Sequence, residues 1–262
     1  MIRDRETLNQ LLALIDRFVT ERLIPRESEL AESGSLPEDI LDEMKAMGLF
    51  GLTIPEEYGG LGLTMEEEIE VAISLGKTSP AFRSVMGTNN GIGSAAIVFN
   101  GTEEQKKRYL PKYASGEWIS CFCLTEPEAG SDAASLKTSA VRDGDHYVIN
   151  GTKRYITNAK VADTFNVMAR TNPSIKGARG ISSFIVEKDF KGITLGSVDK
   201  KMGQAGSMTC DVIFEDCRVP AENIIGAEGE GFITAMKVLD LSLIHISEPT
   251  RPERIGVGGV WV

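Results

Sequence analysis

The sequence has no apolar run of the ~18 residues needed to cross a bilayer, no excess of base over acid, and only four cysteines in 262 residues. The first absence excludes a spanning helix. The second, Lys+Arg 28 against Asp+Glu 38 and a net charge of −10, argues against a dedicated nucleic-acid binder or a protein lying on an anionic membrane, because both need a positive field. The N-terminus, Met1-Ile2-Arg3-Asp4-Arg5-Glu6, mixes acids with bases and lacks the apolar stretch of a secretory leader, so the cytoplasm is the default location. The few cysteines suit a reducing compartment. Cys121 and Cys123 stand two apart on a predicted strand, so they share a face and are too close in sequence for a mutual disulfide. With Cys210 and Cys217 they form a C-x-C…C-x6-C spacing that is not a standard zinc pattern; packed thiols account for them.

What is present is ordinary globular material, 42% hydrophobic and 25% charged, with length enough for two domains. Helical periodicity dominates the first part. Leu8, Leu11, Leu12, Ile15, Phe18 and Val19 recur on one face, and Pro25 marks the expected stop. Ser35-Leu36-Pro37-Glu38 reads as a capping box opening a helix over Ile40–Met47, ended by Gly48. Thr64-Met65-Glu66-Glu67 reads as a second box and Thr102-Glu103-Glu104-Gln105 as a third. Gly91-Ile92-Gly93-Ser94-Ala95-Ala96 fits a dinucleotide-binding fingerprint in letters, but it sits among helices rather than after a strand. Small residues for close helix packing explain it better.

From Trp118 the period becomes two. Trp118–Leu124 is expected to be a strand. Asp143-Gly144 and Asn150-Gly151 are hairpin signals, the second joining His146–Ile149 to Lys153–Ile156. Phe165–Arg170, Ile181–Val186 and Cys210–Glu215 add strands separated by turns, and Gly229-Glu230-Gly231 leads into a helix over Phe232–Leu239. The fold class expected is α+β multidomain. A helical domain spans residues 1–117, an antiparallel β-barrel or sandwich spans 118–228, and a further helical region begins at 229–240. From Leu241 the chain reads as an in-frame translation of a transposon-type sequencing-library adapter. On that reading residues 241–262, His245 and Trp261 among them, carry no functional weight.

The chemistry gathers at Phe122-Cys123-Leu124-Thr125-Glu126-Pro127-Glu128-Ala129-Gly130-Ser131-Asp132. An apolar strand breaks there into a loop of hydroxyls, carboxylates, proline and glycine, a composition that can aim N–H and hydroxyl groups at an anion or heterocycle. An ordinary capped turn uses the same residue types.

In order and at natural spacing, Phe122–Asp132, Asp145–Asn158, Ile181–Lys188, Lys201–Gly203, Val212–Gly226 and Gly229–Asp240 resemble the N-terminal and middle domains of the acyl-CoA dehydrogenase family, a likeness covering about residues 1–240. The resemblance implies FAD as cofactor and oxidation of an acyl-CoA thioester to its trans-2-enoyl form, with electrons passed to an electron-transferring flavoprotein. It implies that Phe122, Leu124 and Thr125 lie along the flavin, that Gly130 and Ser131 serve its pyrophosphate region, and that Tyr155, Ile156 and Thr157 match the family's Trp-Ile-Thr beside the ring. Tyrosine for tryptophan is a departure from that pattern. Ser131 and Asp240 would also touch the acyl-CoA, and the complete protein would be a homodimer or homotetramer. The family's C-terminal helical bundle and its usual catalytic glutamate have no counterpart in the sequence, so no catalytic residue is assigned and the chain is expected to be an inactive fragment. Glu126 and Glu128 suit turn stabilisation better than base catalysis, and His146 a surface position. A flavin-dependent oxidase or monooxygenase of the same fold, and a non-catalytic acyl-CoA or partner-binding module, stand as alternatives.

Overall fold

The computed structural model describes residues 5–239. Seven helices come first: α1 (Arg5–Phe18), α2 (Glu27–Ser33), α3 (Glu38–Ala46), α4 (Met65–Leu75), α5 (Pro80–Asn90), α6 (Ala95–Asn100) and α7 (Glu103–Ser115). Two of the three expected capping boxes form. Thr64 accepts from the Glu67 N–H while Glu67 accepts from the Thr64 N–H, and Thr102 and Gln105 repeat the arrangement. The box at Ser35 does not form. Pro37 itself takes the N-cap position of α3 with no side-chain cap, and Ser33 instead donates its hydroxyl to the Ser35 carbonyl. Pro25 does not stop the first helix cleanly either. A π-helical turn over Val19–Leu23 closes with the Ile24 N–H on the Val19 carbonyl, and Pro25 then sits in the first turn of a 3₁₀ segment, where its missing N–H costs nothing. The core of these helices is built from Ile15, Phe18, Leu23, Ile40, Met44, Phe50, Val71 and Phe82.

Eight strands follow: β1 (Ser120–Cys123), β2 (Ser139–Asp143), β3 (His146–Thr157), β4 (Thr164–Arg170), β5 (Ile181–Glu187), β6 (Ile193–Leu195), β7 (Thr209–Pro220) and β8 (Ile224–Ile225). They hydrogen-bond in the order β6-β7-β3-β2-β4-β5-β8; β1 pairs with the first half of β4, on the edge whose end at Arg170 meets β2, while β5 takes the opposite edge along its full length. Most pairings are antiparallel, as the short turns require, but β1 lies parallel to β4. A parallel pair needs a long connection, and here a complete hairpin, β2–β3, lies between the two strands. The sheet is therefore mixed. Phe165, Val167, Phe184, Val186, Tyr147, Ile149, Val212 and Phe214 fill its interior with the thiols of Cys121, Cys123, Cys210 and Cys217. All four cysteines are free and buried, the Sγ atoms of Cys121 and Cys123 3.8 Å apart on one face of β1.

The Asp143-Gly144 signal does mark the β2–β3 hairpin, with Gly144 at φ 64°. Asn150-Gly151 does not mark a turn. β3 runs straight through it, and the register against β7 shifts between Ile149 and Gly151. Asn150 braces the bulge by accepting the Asp216 N–H at 2.8 Å and donating to the Asp216 carboxylate at 3.2 Å. Gly151 is required by crowding: a Cβ there would run into the Thr138 hydroxyl and Cα.

Helices and sheet meet along a polar-paired seam. Asn89 of α5, fully buried, donates to the carbonyls of Tyr113 and Trp118 and accepts from the Ser120 N–H and hydroxyl. Asn158 donates to Ser84, Val85 and Thr88. Gln105 of α7 donates to the carbonyls of Glu222 and Ile224, and Tyr113 bonds Thr164. Gly93 of the fingerprint-like stretch packs against this seam, its missing Cβ leaving room for Ser120 and the Thr88 carbonyl. The packing reading of that stretch holds. A last helix, α8 (Gly231–Leu239), lies against β5, its N-terminal Gly231 pressed onto the Ser182–Ser183 backbone.

Candidate functional site: a cleft at the end of the first strand

β1 delivers the chain to a cleft of about 430 Å³ lined by Phe122, Leu124, Thr125, Gly130 to Ala134, Tyr155 and Ile156, and closed by α8. Seven of the eight residues predicted to face a cofactor thus meet on one wall, from two separate strands and the intervening loop. The eighth, Thr157, lies one residue further along β3 and lines a neighbouring cleft of about 470 Å³ between helices and sheet. Helix α8 touches both clefts, presenting Phe232, Met236 and Leu239 to the first and Val238 to the second. Asp240 lies outside the described residues, as do His245 and Trp261 with the rest of the tail.

The wall has two characters. Phe122, Leu124, Ile156 and the α8 side chains make it apolar. Thr125 and Ser131 add hydroxyls that carry no hydrogen bond among the described residues. Gly130 is exposed and uncrowded, so its backbone is open to the cleft. Tyr155 is 61% exposed and sits at φ 58°, in the left-handed region. That backbone coincides with a second register shift of β3, between Lys153 and Ile156. The shift explains how Lys153 points into the barrel while Tyr155, two residues on, faces out. The Arg154 guanidinium lies 4.6 Å from the Tyr155 ring centroid and is itself held by both Asp211 oxygens at 2.8 Å, so the ring rests on a fixed cation.

The loop is anchored from below. Glu126 is buried and bonds the Lys153 ammonium at 2.8 Å and the N–H groups of Lys137 and Thr138 at 2.6 and 2.9 Å. Burial pushes the Glu126 carboxyl upward, but the Lys153 charge and the backbone donors outweigh it and hold the group below the usual carboxylate range. Burial also lowers the Lys153 ammonium, with Glu126 opposing that shift. The direction that matters is an ionised Glu126. Lys153 is fully buried and donates a second bond, to the Leu124 carbonyl at 3.2 Å. Glu128 is exposed and paired to Lys137. Both glutamates are therefore committed to holding the turn. His146 is partly exposed beside Asp145 on the far hairpin, away from both clefts.

Sequence reasoning missed two parts of this site. The α8 wall was readable, since Phe232, Met236 and Leu239 fall at i, i+4 and i+7. Lys153 had no such signal, because a lysine amid strand residues reads as solvent-facing.

Residues 5–117 match the model of the acyl-CoA dehydrogenase N-terminal domain and residues 121–217 that of the middle domain. The chain is 40% identical over 247 residues to the short-chain specific acyl-CoA dehydrogenase of Clostridium acetobutylicum, covering 94% of this chain and 64% of the relative. A chain in the structure described as the electron-transferring flavoprotein of Acidaminococcus fermentans superposes with TM-score 0.86 at 40% identity, covering 92% of this chain and 63% of that one. An acyl-CoA dehydrogenase from Bacillus anthracis, complexed with FAD, superposes with TM-score 0.83 at 37% identity, covering 92% and 41% respectively. The chain thus spans less than two thirds of the length of each of these three relatives.

Proposed function

Because the chain belongs to the acyl-CoA dehydrogenase family, whose N-terminal and middle domains it carries, we propose that it forms the flavin-facing part of an FAD-dependent enzyme that oxidises acyl-CoA thioesters to trans-2-enoyl-CoA. The observation that carries this reading is the single cleft shared by Phe122, Leu124, Thr125, Gly130, Ser131, Tyr155 and Ile156. Its residues fit a flavin. A flat ring needs an apolar wall, an aromatic neighbour and donors at one edge, and the cleft has all three, with hydroxyls that bond no group among the described residues. When bound, FAD supplies the acceptor for the hydride leaving the acyl chain. The protein groups on this chain do the remaining work of orientation. Leu124, Ile156 and the α8 side chains exclude water from one face, while Thr125 and the exposed Gly130–Ser131 backbone offer donors to anionic or carbonyl oxygens. Ser131 would serve the acyl-CoA as well. Thr157, which lines the second cleft, would bond the ring edge nearest the helices. The likeness to the Acidaminococcus chain supports an electron-transferring flavoprotein as electron acceptor, and family membership supports a homodimer or homotetramer for the complete protein.

The test is direct. The chain is mixed with FAD and titrated by flavin fluorescence and absorbance, then challenged with an acyl-CoA of short chain. Quenched, red-shifted flavin that responds spectrally to acyl-CoA is the expected result. Acyl-CoA binding with no flavin uptake would favour a non-catalytic binding module instead.

A further inference from the structure

The Glu126–Lys153 pair has so far been read only as an anchor of the loop. It is fully buried, 0% exposed on the Lys153 side chain and 6% on that of Glu126. A buried ion pair is weak evidence of a stabilising role, since apolar replacement of both partners is often neutral or better. Its location is more informative. Lys153 reaches across from β3 to the two residues on either side of Thr125, the Leu124 carbonyl at 3.2 Å and the Glu126 carboxylate at 2.8 Å. The Thr125 carbonyl itself accepts the Arg154 N–H at 2.8 Å. Three consecutive residues of the cleft wall are therefore tied to two consecutive residues of β3. The same carboxylate also gathers the N–H groups of Lys137 and Thr138, which closes the loop that carries Gly130 and Ser131.

We propose that Lys153 and Glu126 are positioning residues for the flavin site: the clamp fixes where Thr125 presents its hydroxyl, and its balanced charges set the electrostatic ground on which the ring is reduced. This rests on the flavin reading above. The two partners are not equivalent in sign. Removing the ammonium leaves a lone anion beneath the wall, which disfavours an electron-rich ring. Removing the carboxylate's charge takes away the anion that opposes desolvation of the buried ammonium: Lys153 either stays a cation, which favours the ring, or sheds its proton and leaves the ground neutral, and neither outcome disfavours an electron-rich ring. A merely structural pair makes no such distinction, because either loss would loosen the loop alike.

The experiment uses the chain with Lys153→Met, Glu126→Gln and the double substitution. Three quantities are read: FAD dissociation constant by fluorescence, midpoint potential of the bound flavin by dye equilibration, and amide exchange at Lys137, Thr138 and Arg154 without FAD. Lys153→Met is expected to weaken FAD by about tenfold or more, the scale of one lost charged hydrogen bond, and to speed exchange at Thr138 and Arg154. The potential should fall in Lys153→Met, rise or stay at the parent value in Glu126→Gln, and return toward the parent value in the double variant. Potentials moving the same way in both single variants, or FAD affinity within twofold of the parent with unchanged exchange, would overturn the clamp. Should the single variants not fold, the charge-neutral double variant decides. Weaker FAD binding with faster exchange at Thr138 supports the proposal, and parental values of both overturn it. A parent chain that takes up no FAD overturns the flavin reading and this inference with it, whereas a flavin-binding parent with indifferent variants overturns the inference alone.

Discussion

Replacing Asn89 by alanine should be among the most damaging single changes in the chain. Asn89 is 0% exposed and makes four hydrogen bonds: to the carbonyls of Tyr113 (3.1 Å) and Trp118 (2.8 Å), and from the N–H (2.8 Å) and hydroxyl (3.0 Å) of Ser120. Truncation deprives a buried N–H of its acceptor and two carbonyls of a donor, while the Ser120 hydroxyl can turn elsewhere. Each buried polar group left unsatisfied costs about 1–3 kcal/mol. Counting the N–H and the more closely bonded Trp118 carbonyl in full gives a loss of about 2–6 kcal/mol, much of the ~5–15 kcal/mol that a domain has to lose. Urea unfolding followed by circular dichroism measures it. A loss under about 1 kcal/mol would refute the idea that this side chain fastens β1 to the helices. Asn89→Asp provides a second arm. It keeps the acceptor for Ser120 but faces two carbonyl oxygens, so its carboxyl pKa must rise on folding; stability is retained below the unfolded value and lost as pH climbs through the folded one.

Other substitutions probe separate links. Gly93→Ala would place a Cβ 2.8 Å from the Thr88 carbonyl and closer still to the Ser120 hydroxyl. Overpacking of about 1–3 kcal/mol is expected by thermal or urea unfolding, and a neutral effect would mean that the helix–strand approach is loose. Burial raises the Glu68 carboxyl above its ordinary value, with Arg83 at 3.7 Å only partly opposing. Its contribution is therefore fully present at low pH and lost as pH rises through the folded value, so the stability gained by Glu68→Gln should be larger at pH 8 than at pH 4; a gain that shrinks over that range contradicts the sign. In the complete, flavin-loaded enzyme, Thr125→Ala should slow flavin reduction by acyl-CoA and shift the flavin potential. An unchanged potential would remove Thr125 from the polar edge of the site.

Local chemistry made much of the architecture legible. Two capping boxes, the apolar face of α1 and the alternation of β7 are short-range signals; the boxes formed as written, β7 runs on to Pro220, and β4 and β5 are buried along nearly their whole length rather than alternating. Asn150-Gly151 misled because asparagine and glycine serve a bulge as well as a turn; only the partner strand, with Asp216 opposite, decides between them. The parallel placement of β1 is likewise a long-range fact, fixed by contacts with residues more than forty positions away. At the candidate site, the loop and the β3 aromatic were legible as a motif. The α8 wall could be read from helical spacing, but which cleft it closes depends on how Gly231 packs on β5. Lys153 stayed hidden because its partner lies 27 residues earlier and strand alternation alone assigns no charge to a core.

The seam between helices and sheet bears on how such proteins can be recombined. Asn89, Asn158 and Gln105 each read backbone atoms on the opposite side, so neither half is a self-contained cassette. A chimaera that exchanged only the β half of two relatives would set foreign carbonyls against resident amides. The natural crossover lies ahead of Ser79, the N-cap of α5, so that α5 and α7 travel with the strands they hold.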